Sequence, residues 1–94
     1  MNIAWSSVAR SDLLAIFDYI LQDNPRAAGE VLDRIDEAVL RLADHPGAGR
    51  PGRVAETREL VIADLPYGVP YQVQGDRVFI LRVLHTARKW PEQL

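Results

Sequence analysis

Apolar residues recur at helical spacing early in the chain, directly after a strand-like segment from Asn2 to Trp5. The recurring apolar residues are Leu13, Ile16, Phe17, Ile20 and Leu21. Ser6 and Ser7 can accept hydrogen bonds from the free N–H groups at a helix start. The pattern therefore predicts a short first strand and then a helix from about Ser7 to Gln22.

A second apolar stripe, with alternating steps of four and three, follows Asn24 and Pro25. Its members are Ala28, Leu32, Ile35, Val39 and Leu42. Asn24 can cap this helix, and Pro25 suits the first helical position because its missing N–H would be unpaired there. Pro46 ends the pattern, since it disfavours the helical conformation of the preceding residue. The two helices are predicted to form an antiparallel hairpin.

The apolar period changes to two after the Gly/Pro-rich segment Ala48 to Thr57, which is predicted to be a loop. The predicted strands are Arg58 to Ala63, Tyr67 to Gln74 and Arg77 to Leu84. A tight turn at Gly75 makes them an antiparallel meander. Pro70 cannot donate to a strand ladder, so it implies an edge or a bulge.

The order βααβββ predicts an α+β fold in which a helical hairpin packs on one small antiparallel sheet. With 94 residues the chain can form one core, so residues 1–94 are predicted to be a single domain. The sheet face away from the helices keeps apolar side chains. Exposed apolar surface with arginines at its margin predicts a partner site there.

The charges are segregated along the chain, although the net charge is only −2. Residues 1–45 hold four basic and eight acidic side chains, whereas residues 46–94 hold seven and five. Nucleic-acid binding by the whole surface is therefore disfavoured, and a local basic face on the second half stays possible. The N-terminus lacks a secretory signal and no segment is long enough for a membrane span, so a cytoplasmic protein is expected.

Few residues suggest a cofactor or a metal. Gly47 to Gly52 matches G-x-G-x-x-G, but a helix precedes it and a strand follows, which is the reverse of a dinucleotide site. There are no cysteines and only two histidines, His45 and His85. Neither histidine has an acidic partner at helical spacing, so no metal site and no cofactor are expected.

The second half of the chain holds the candidate functional residues. A possible basic rim consists of Arg50, Arg53, Arg58, Arg82, Arg88 and Lys89, with Tyr67 and Trp90 available for stacking. Such a rim fits phosphates or the acidic residues of a protein partner. His85 closes the last strand beside Arg82 and Arg88, where it either makes a local hydrogen bond or acts as a general acid or base.

Four short motifs follow one another in the second half of the chain: Arg58-Glu59-Leu60, Pro66-Tyr67, Pro70-Tyr71 and His85-Thr86-Ala87-Arg88-Lys89-Trp90-Pro91. Their order and spacing give the sequence a resemblance to the RelE/ParE family of toxins from type II toxin–antitoxin systems, and to its ParE branch in particular. The resemblance implies a βααβββ fold and a toxin whose antitoxin, of the ParD-like ribbon-helix-helix type, is encoded beside it and wraps it. ParE-like members poison DNA gyrase, whereas RelE-like members cut mRNA in the ribosome.

The resemblance also separates the two targets. RelE-like ribonucleases carry cations at the positions that are Glu59, Val61 and Gly68 in this chain. We therefore expect a gyrase poison that acts by protein–protein contact, without catalysis and without binding nucleic acid alone. If the chain were instead a metal-independent mRNA nuclease, its catalytic residues would be Arg58, Arg82, His85 and Arg88.

The sequence predicts two contact surfaces. The predicted target contacts are Arg82, His85, Arg88, Lys89 and Trp90, because this run follows the last strand and combines cations with an indole. The predicted antitoxin contacts are Arg50, Arg53 and Arg58, with the apolar side chains of the antitoxin tail in the groove between the helical hairpin and the sheet.

Overall fold

A computed structural model describes all residues from Met1 to Leu94. The helices are α1 (Ser7–Leu21) and α2 (Pro25–Leu40), and a 3₁₀ turn, Arg41–Ala43, extends the second. The strands are β1 (Asn2–Trp5), β2 (Arg50–Pro51), β3 (Arg58–Val61), β4 (Tyr67–Gln74), β5 (Arg77–Ile80) and β6 (Leu84–His85). The predicted α+β fold with a helical hairpin on a sheet is confirmed.

Both predicted helix starts are confirmed, including the atoms that cap them. The Ala9 backbone N–H donates to Ser6 Oγ at 2.9 Å, and the Ala27 N–H donates to Asn24 Oδ1 at 3.1 Å. Pro25 occupies the first turn of α2. Each cap satisfies a backbone donor that the helix itself leaves unpaired, so the sequence fixes these boundaries locally.

The sheet is mixed, with the strand order β1-β5-β4-β3-β2. Strands β3, β4 and β5 form the expected antiparallel meander, whereas β1 runs parallel to β5. Strand β2 pairs with β3, so the segment predicted to be a plain loop contains a short edge strand. That part of the prediction was wrong, because two residues are too few for an alternating pattern to register.

The predicted last strand, Arg77 to Leu84, is also wrong as one continuous strand. It divides into β5 and β6, since Ile80 pairs with Tyr71 and Leu84 pairs with Gly68. Three residues, Leu81 to Val83, therefore face two residues of β4, which is a β-bulge.

The cause of the bulge is Pro70, which lies fully buried in the central strand. Pro70 has no N–H to donate, and its carbonyl oxygen accepts from Leu81 N–H at 3.0 Å. Of the two expectations for Pro70, the bulge is confirmed and the edge position is not.

The core lies between the helices and one face of the sheet. Its fully buried members include Ile35, Val39, Leu42, Val69, Tyr71, Val78 and Ile80. The opposite face carries the alternate residues of the strands, and the chain after β6 folds back over part of it. Neither helix has the length and apolar character needed to cross a membrane.

Candidate functional site

A cleft of about 580 Å³ separates α1 from the segment that follows β6. One wall is a single face of α1, formed by Asp12, Ala15, Ile16 and Tyr19 at successive turns. The other residues around it are Pro66, Tyr67, Arg82, Val83, Leu84, His85, Arg88, Lys89 and Trp90. The structure thus brings the five predicted target-contact residues to one place, around a cleft that is lined by both apolar and cationic side chains.

Arg82 is paired across the cleft with Asp12 of α1. Arg82 donates from Nε to Asp12 Oδ2 at 2.8 Å and from its terminal nitrogen to Oδ1 at 3.1 Å. This hydrogen-bonded carboxylate raises the pKa of the Arg82 guanidinium further above its ordinary value. The Val83 N–H also donates to Asp12 Oδ2, at 2.9 Å. The charge of Arg82 is therefore matched within the protein, and Arg88 and Lys89 are the unmatched cations of the cleft.

His85 and Tyr67 pack edge to face at the back of the cleft. Their ring centroids are 5.7 Å apart with planes at 85°. His85 Nδ1 accepts from the Ala87 N–H at 3.1 Å, so the neutral imidazole carries its proton on Nε2. Burial raises the pKa of the Tyr67 phenol, opposed by the nearby Arg88 guanidinium. Tyr67 is consequently a neutral hydroxyl at physiological pH.

Trp90 fixes the segment after β6 to the second face of the sheet, which is the face away from the helices. Its indole lies against Gly68, where an added Cβ would come within 2.9 Å of the ring. The indole Nε1–H donates to the His85 carbonyl at 3.2 Å, and the Arg53 guanidinium carbon lies 4.0 Å from the ring centroid. Trp90 is thus held on one side by backbone and on the other by a cation–π contact. The predicted open apolar face is therefore partly covered by the chain itself.

The predicted antitoxin contacts lie around Glu59, which has only 3% of its side chain exposed. Arg50 and Arg53 both form ion pairs with this carboxylate, at 3.3 and 3.6 Å, and the Arg53 backbone N–H also donates to it, at 2.8 Å. Arg58 instead donates to the Gly49 carbonyl at 2.8 Å. None of the three arginines lines the large cleft, but Arg53 lines a second cleft, of about 450 Å³, with Arg88 and Lys89. The proposed basic rim is therefore two groups that meet at Arg53 and Trp90.

The sequence assigned no role in the site to Asp12, and it pointed to Glu59 only as a position without a cation. One feature of the sequence could have pointed to Asp12. This residue lies four residues before Ile16, so it is on the same side of α1 as the apolar stripe, at its margin. Glu59 occupies a strand position whose two neighbours, Arg58 and Leu60, gave no indication that it would be buried. No group of three His, Asp or Glu side chains is placed to hold a metal ion.

The known proteins that this chain resembles are described as toxins or as parts of a toxin–antitoxin system. Residues 3–90 match the family model described as the ParE toxin of the type II toxin–antitoxin system parDE. The candidate toxin Y4kP of Sinorhizobium fredii is 48% identical over 93 residues, which cover 99% of this chain and 96% of that protein. Toxin RelE2 of Caulobacter vibrioides is 41% identical over 87 residues, covering 93% and 97%. A solved structure of the chromosomal ParDE system from P. aeruginosa superimposes with a TM-score of 0.83 at 33% identity, covering 90% of this chain and 95% of that one.

Proposed function

We propose that this chain, which belongs to the ParE toxin family of type II toxin–antitoxin systems, arrests growth by poisoning DNA gyrase through protein–protein contact. The observation that carries the proposal is the second face of the sheet. Glu59, Val61 and Gly68, which replace the cations of the RNA-cleaving toxins, share this face, because Val61 pairs with Gly68 and Glu59 pairs with Pro70. Glu59 places a carboxylate, and the Trp90 indole covers Gly68, where the RNA-cleaving toxins carry cations, so these strand positions offer no positive charge to RNA phosphates.

The alternative catalytic set is also poorly arranged for chemistry. Arg58 does not line the large cleft, and Arg82 is held by Asp12. The His85 hydrogen bond from Ala87 makes Nε2 a donor in the neutral ring, whereas a general base needs a free lone pair. These contacts favour a surface for protein binding over a nuclease centre.

Ribosome-dependent mRNA cleavage is the second candidate, and one observation favours it. RelE2, at 41% identity, carries the name of the other branch of the family. The two functions differ in what the purified chain does to its target, so one set of assays separates them.

The first prediction is that the purified chain inhibits supercoiling by gyrase and accumulates gyrase–DNA cleavage complexes. Both effects should scale with toxin concentration, and cells that express the chain should show an SOS response. mRNA cleavage in a ribosome-containing translation extract should be absent. Cleavage of mRNA at codon positions, with supercoiling untouched, would overturn the gyrase proposal and establish the nuclease.

We further propose that a ParD-like antitoxin neutralises the chain by binding at Arg50, Arg53 and Arg58. Arg50 and Arg53 keep 58% and 52% of their side chains exposed while they share one carboxylate, so this group retains positive charge for an acidic tail. Because Arg53 stacks on Trp90, a tail bound here would also cover the segment predicted to contact the target. Neutralisation would then follow from occlusion.

The second prediction concerns this partner. The product of the neighbouring antitoxin gene should form a complex with this chain that survives moderate salt, and it should raise the Tm of the chain. The double variant Arg50→Ala/Arg53→Ala should weaken the complex by roughly tenfold or more, since two interfacial cations are lost. Arg26→Ala, an exposed arginine at the start of α2, is the matched control. An equally tight complex with the double variant would exclude these arginines as the antitoxin site.

A further inference from the structure

We infer that Asp12 is the positioning residue of the cleft: its carboxylate holds the β5–β6 bulge in one conformation and orients Arg82 within it. This inference rests on the proposed function, since it assigns Asp12 to the surface that meets the target. Arg82 donates two hydrogen bonds to Asp12, although the two residues lie 70 positions apart in the chain. No other carboxylate lies among the residues around the cleft.

The bulge needs an acceptor from outside the sheet. Leu81 N–H donates to the Pro70 carbonyl, and pairing with β4 resumes only at Leu84. Between them, the Val83 N–H turns to Asp12 Oδ2 at 2.9 Å, although Val83 itself is buried. A buried N–H without a partner is costly, so the Asp12 carboxylate stabilises the bulge by accepting from the Val83 N–H.

The same carboxylate fixes the side chain of Arg82. A two-point contact between a guanidinium and a carboxylate is directional as well as strong, so it selects one orientation of the arginine. The Asp12 and Arg82 side chains are only 16% and 25% exposed, which limits competition from water and salt. The guanidinium keeps further N–H donors beyond those that Asp12 binds.

Asp12 also determines where the free charge of the cleft lies. With Arg82 matched by Asp12, the remaining cations are Arg88 and Lys89 at the rim. Without Asp12, Arg82 would become a third unpaired cation of the cleft, and the bulge would lose its external acceptor. Because the chain continues from Val83 directly to His85 and Arg88, a change in the bulge would move the predicted target contacts.

The test compares Asp12→Asn and Asp12→Ala with the control Asp18→Asn. Asp18 is an exposed carboxylate on the same helix, and it does not line the cleft. Growth arrest and the toxin concentration needed for half-maximal gyrase cleavage complexes measure function. Amide hydrogen exchange measures the bulge at Val83, with Val69 and Ile80 as reporters of the whole sheet. Thermal unfolding shows whether each variant is folded at the assay temperature.

We expect Asp12→Ala to lose roughly a hundredfold in potency and Asp12→Asn roughly tenfold, because asparagine keeps an acceptor for Val83 but loses the charge that holds Arg82. Exchange should accelerate at Val83 in the alanine variant while Val69 and Ile80 stay protected. Asp18→Asn should match the unsubstituted chain. Unchanged potency of Asp12→Ala, or faster exchange at all three amides together, would overturn the proposal.

If Asp12→Ala fails to fold, Asp12→Asn and Arg82→Lys decide: Arg82→Lys keeps the charge but cannot make the two-point contact, so it should lose potency while remaining folded. Full potency of Arg82→Lys and Asp12→Asn would then exclude a positioning role. If the unsubstituted chain arrests growth but does not trap gyrase, the proposed target is wrong, and the ratios of growth arrest among the variants still test Asp12.

Discussion

Arg88→Ala is expected to abolish most of the toxicity while leaving the fold and the antitoxin complex intact. Arg88 is exposed at the rim of the cleft, forms no ion pair within the chain and lies near the Tyr67 phenol. Loss of an arginine that anchors a protein interface typically costs about 2 kcal/mol or more, which is about thirtyfold in affinity. Gyrase cleavage complexes and growth arrest measure the effect, and Arg26→Ala is the control.

Trp90→Ala should also lose toxicity, but for a different reason. Trp90 seats the segment between Gly68 and Arg53, so its loss should release Arg88 and Lys89 from their fixed positions. Trp90 lies outside the buried core cluster, and we expect the cost in stability to be about 1–2 kcal/mol, below that of a core tryptophan. Trp90→Phe should recover part of the activity. Loss of folding in Trp90→Ala would indicate that the indole mainly stabilises the sheet. For the first variant, full toxicity of Arg88→Ala would exclude the segment as the target contact.

Gly49→Ala is expected to lower stability more than any of the substitutions named above. A Cβ at this position would lie 2.6 Å from a ring carbon of Tyr71, 2.7 Å from its hydroxyl oxygen and 2.9 Å from the Glu59 carbonyl oxygen. Tyr71 cannot yield, because it is fully buried and its hydroxyl both accepts from the Gly49 N–H at 2.8 Å and donates to the Pro46 carbonyl at 2.7 Å. The alanine methyl must therefore displace either the core or the backbone of β3.

We expect Gly49→Ala to lower the free energy of unfolding by about 3 kcal/mol, the upper range for an overpacked core. For a domain of this size that corresponds to a fall in Tm of about 12 °C or more. Gly47→Ala is the matched control, since no atom lies within 4 Å of its added Cβ. Thermal and urea unfolding of the two variants measure the difference. Equal stability of both would show that the loop accommodates the methyl group.

Two of the three glycines of the G-x-G-x-x-G string, Gly49 and Gly52, thus have a packing role that the sequence could not reveal. Gly49 lies against Tyr71, and Gly52 lies so close to Thr57 that an added Cβ would come within 2.9 Å of its carbonyl oxygen. The helix before this string and the strand after it occur in the order that the sequence predicted. The sequence could not distinguish a flexible connector from a segment that holds an edge strand and covers a buried tyrosine.

The sequence alone determined the elements whose signals are local. Ser6, Asn24 and Pro25 define helix starts through contacts within a few residues, and the alternation around Tyr67 to Gln74 defines a strand. Pro70 predicted an irregular strand, because a residue without an N–H interrupts the hydrogen-bond ladder of any sheet. The clustering of Arg82 to Trp90 also followed from the sequence, since these residues are neighbours along the chain.

Only the tertiary structure decided which distant residues meet. Three contacts join residues that are 22 to 75 positions apart: the parallel pairing of β1 with β5, the Asp12–Arg82 ion pair and the packing of Trp90 on Gly68. Periodicity reports the face on which a residue lies, but not the residue that covers that face. Glu59 illustrates the reason: a carboxylate in a strand is normally solvated, and its burial depends on two arginines that the turn before it brings within reach.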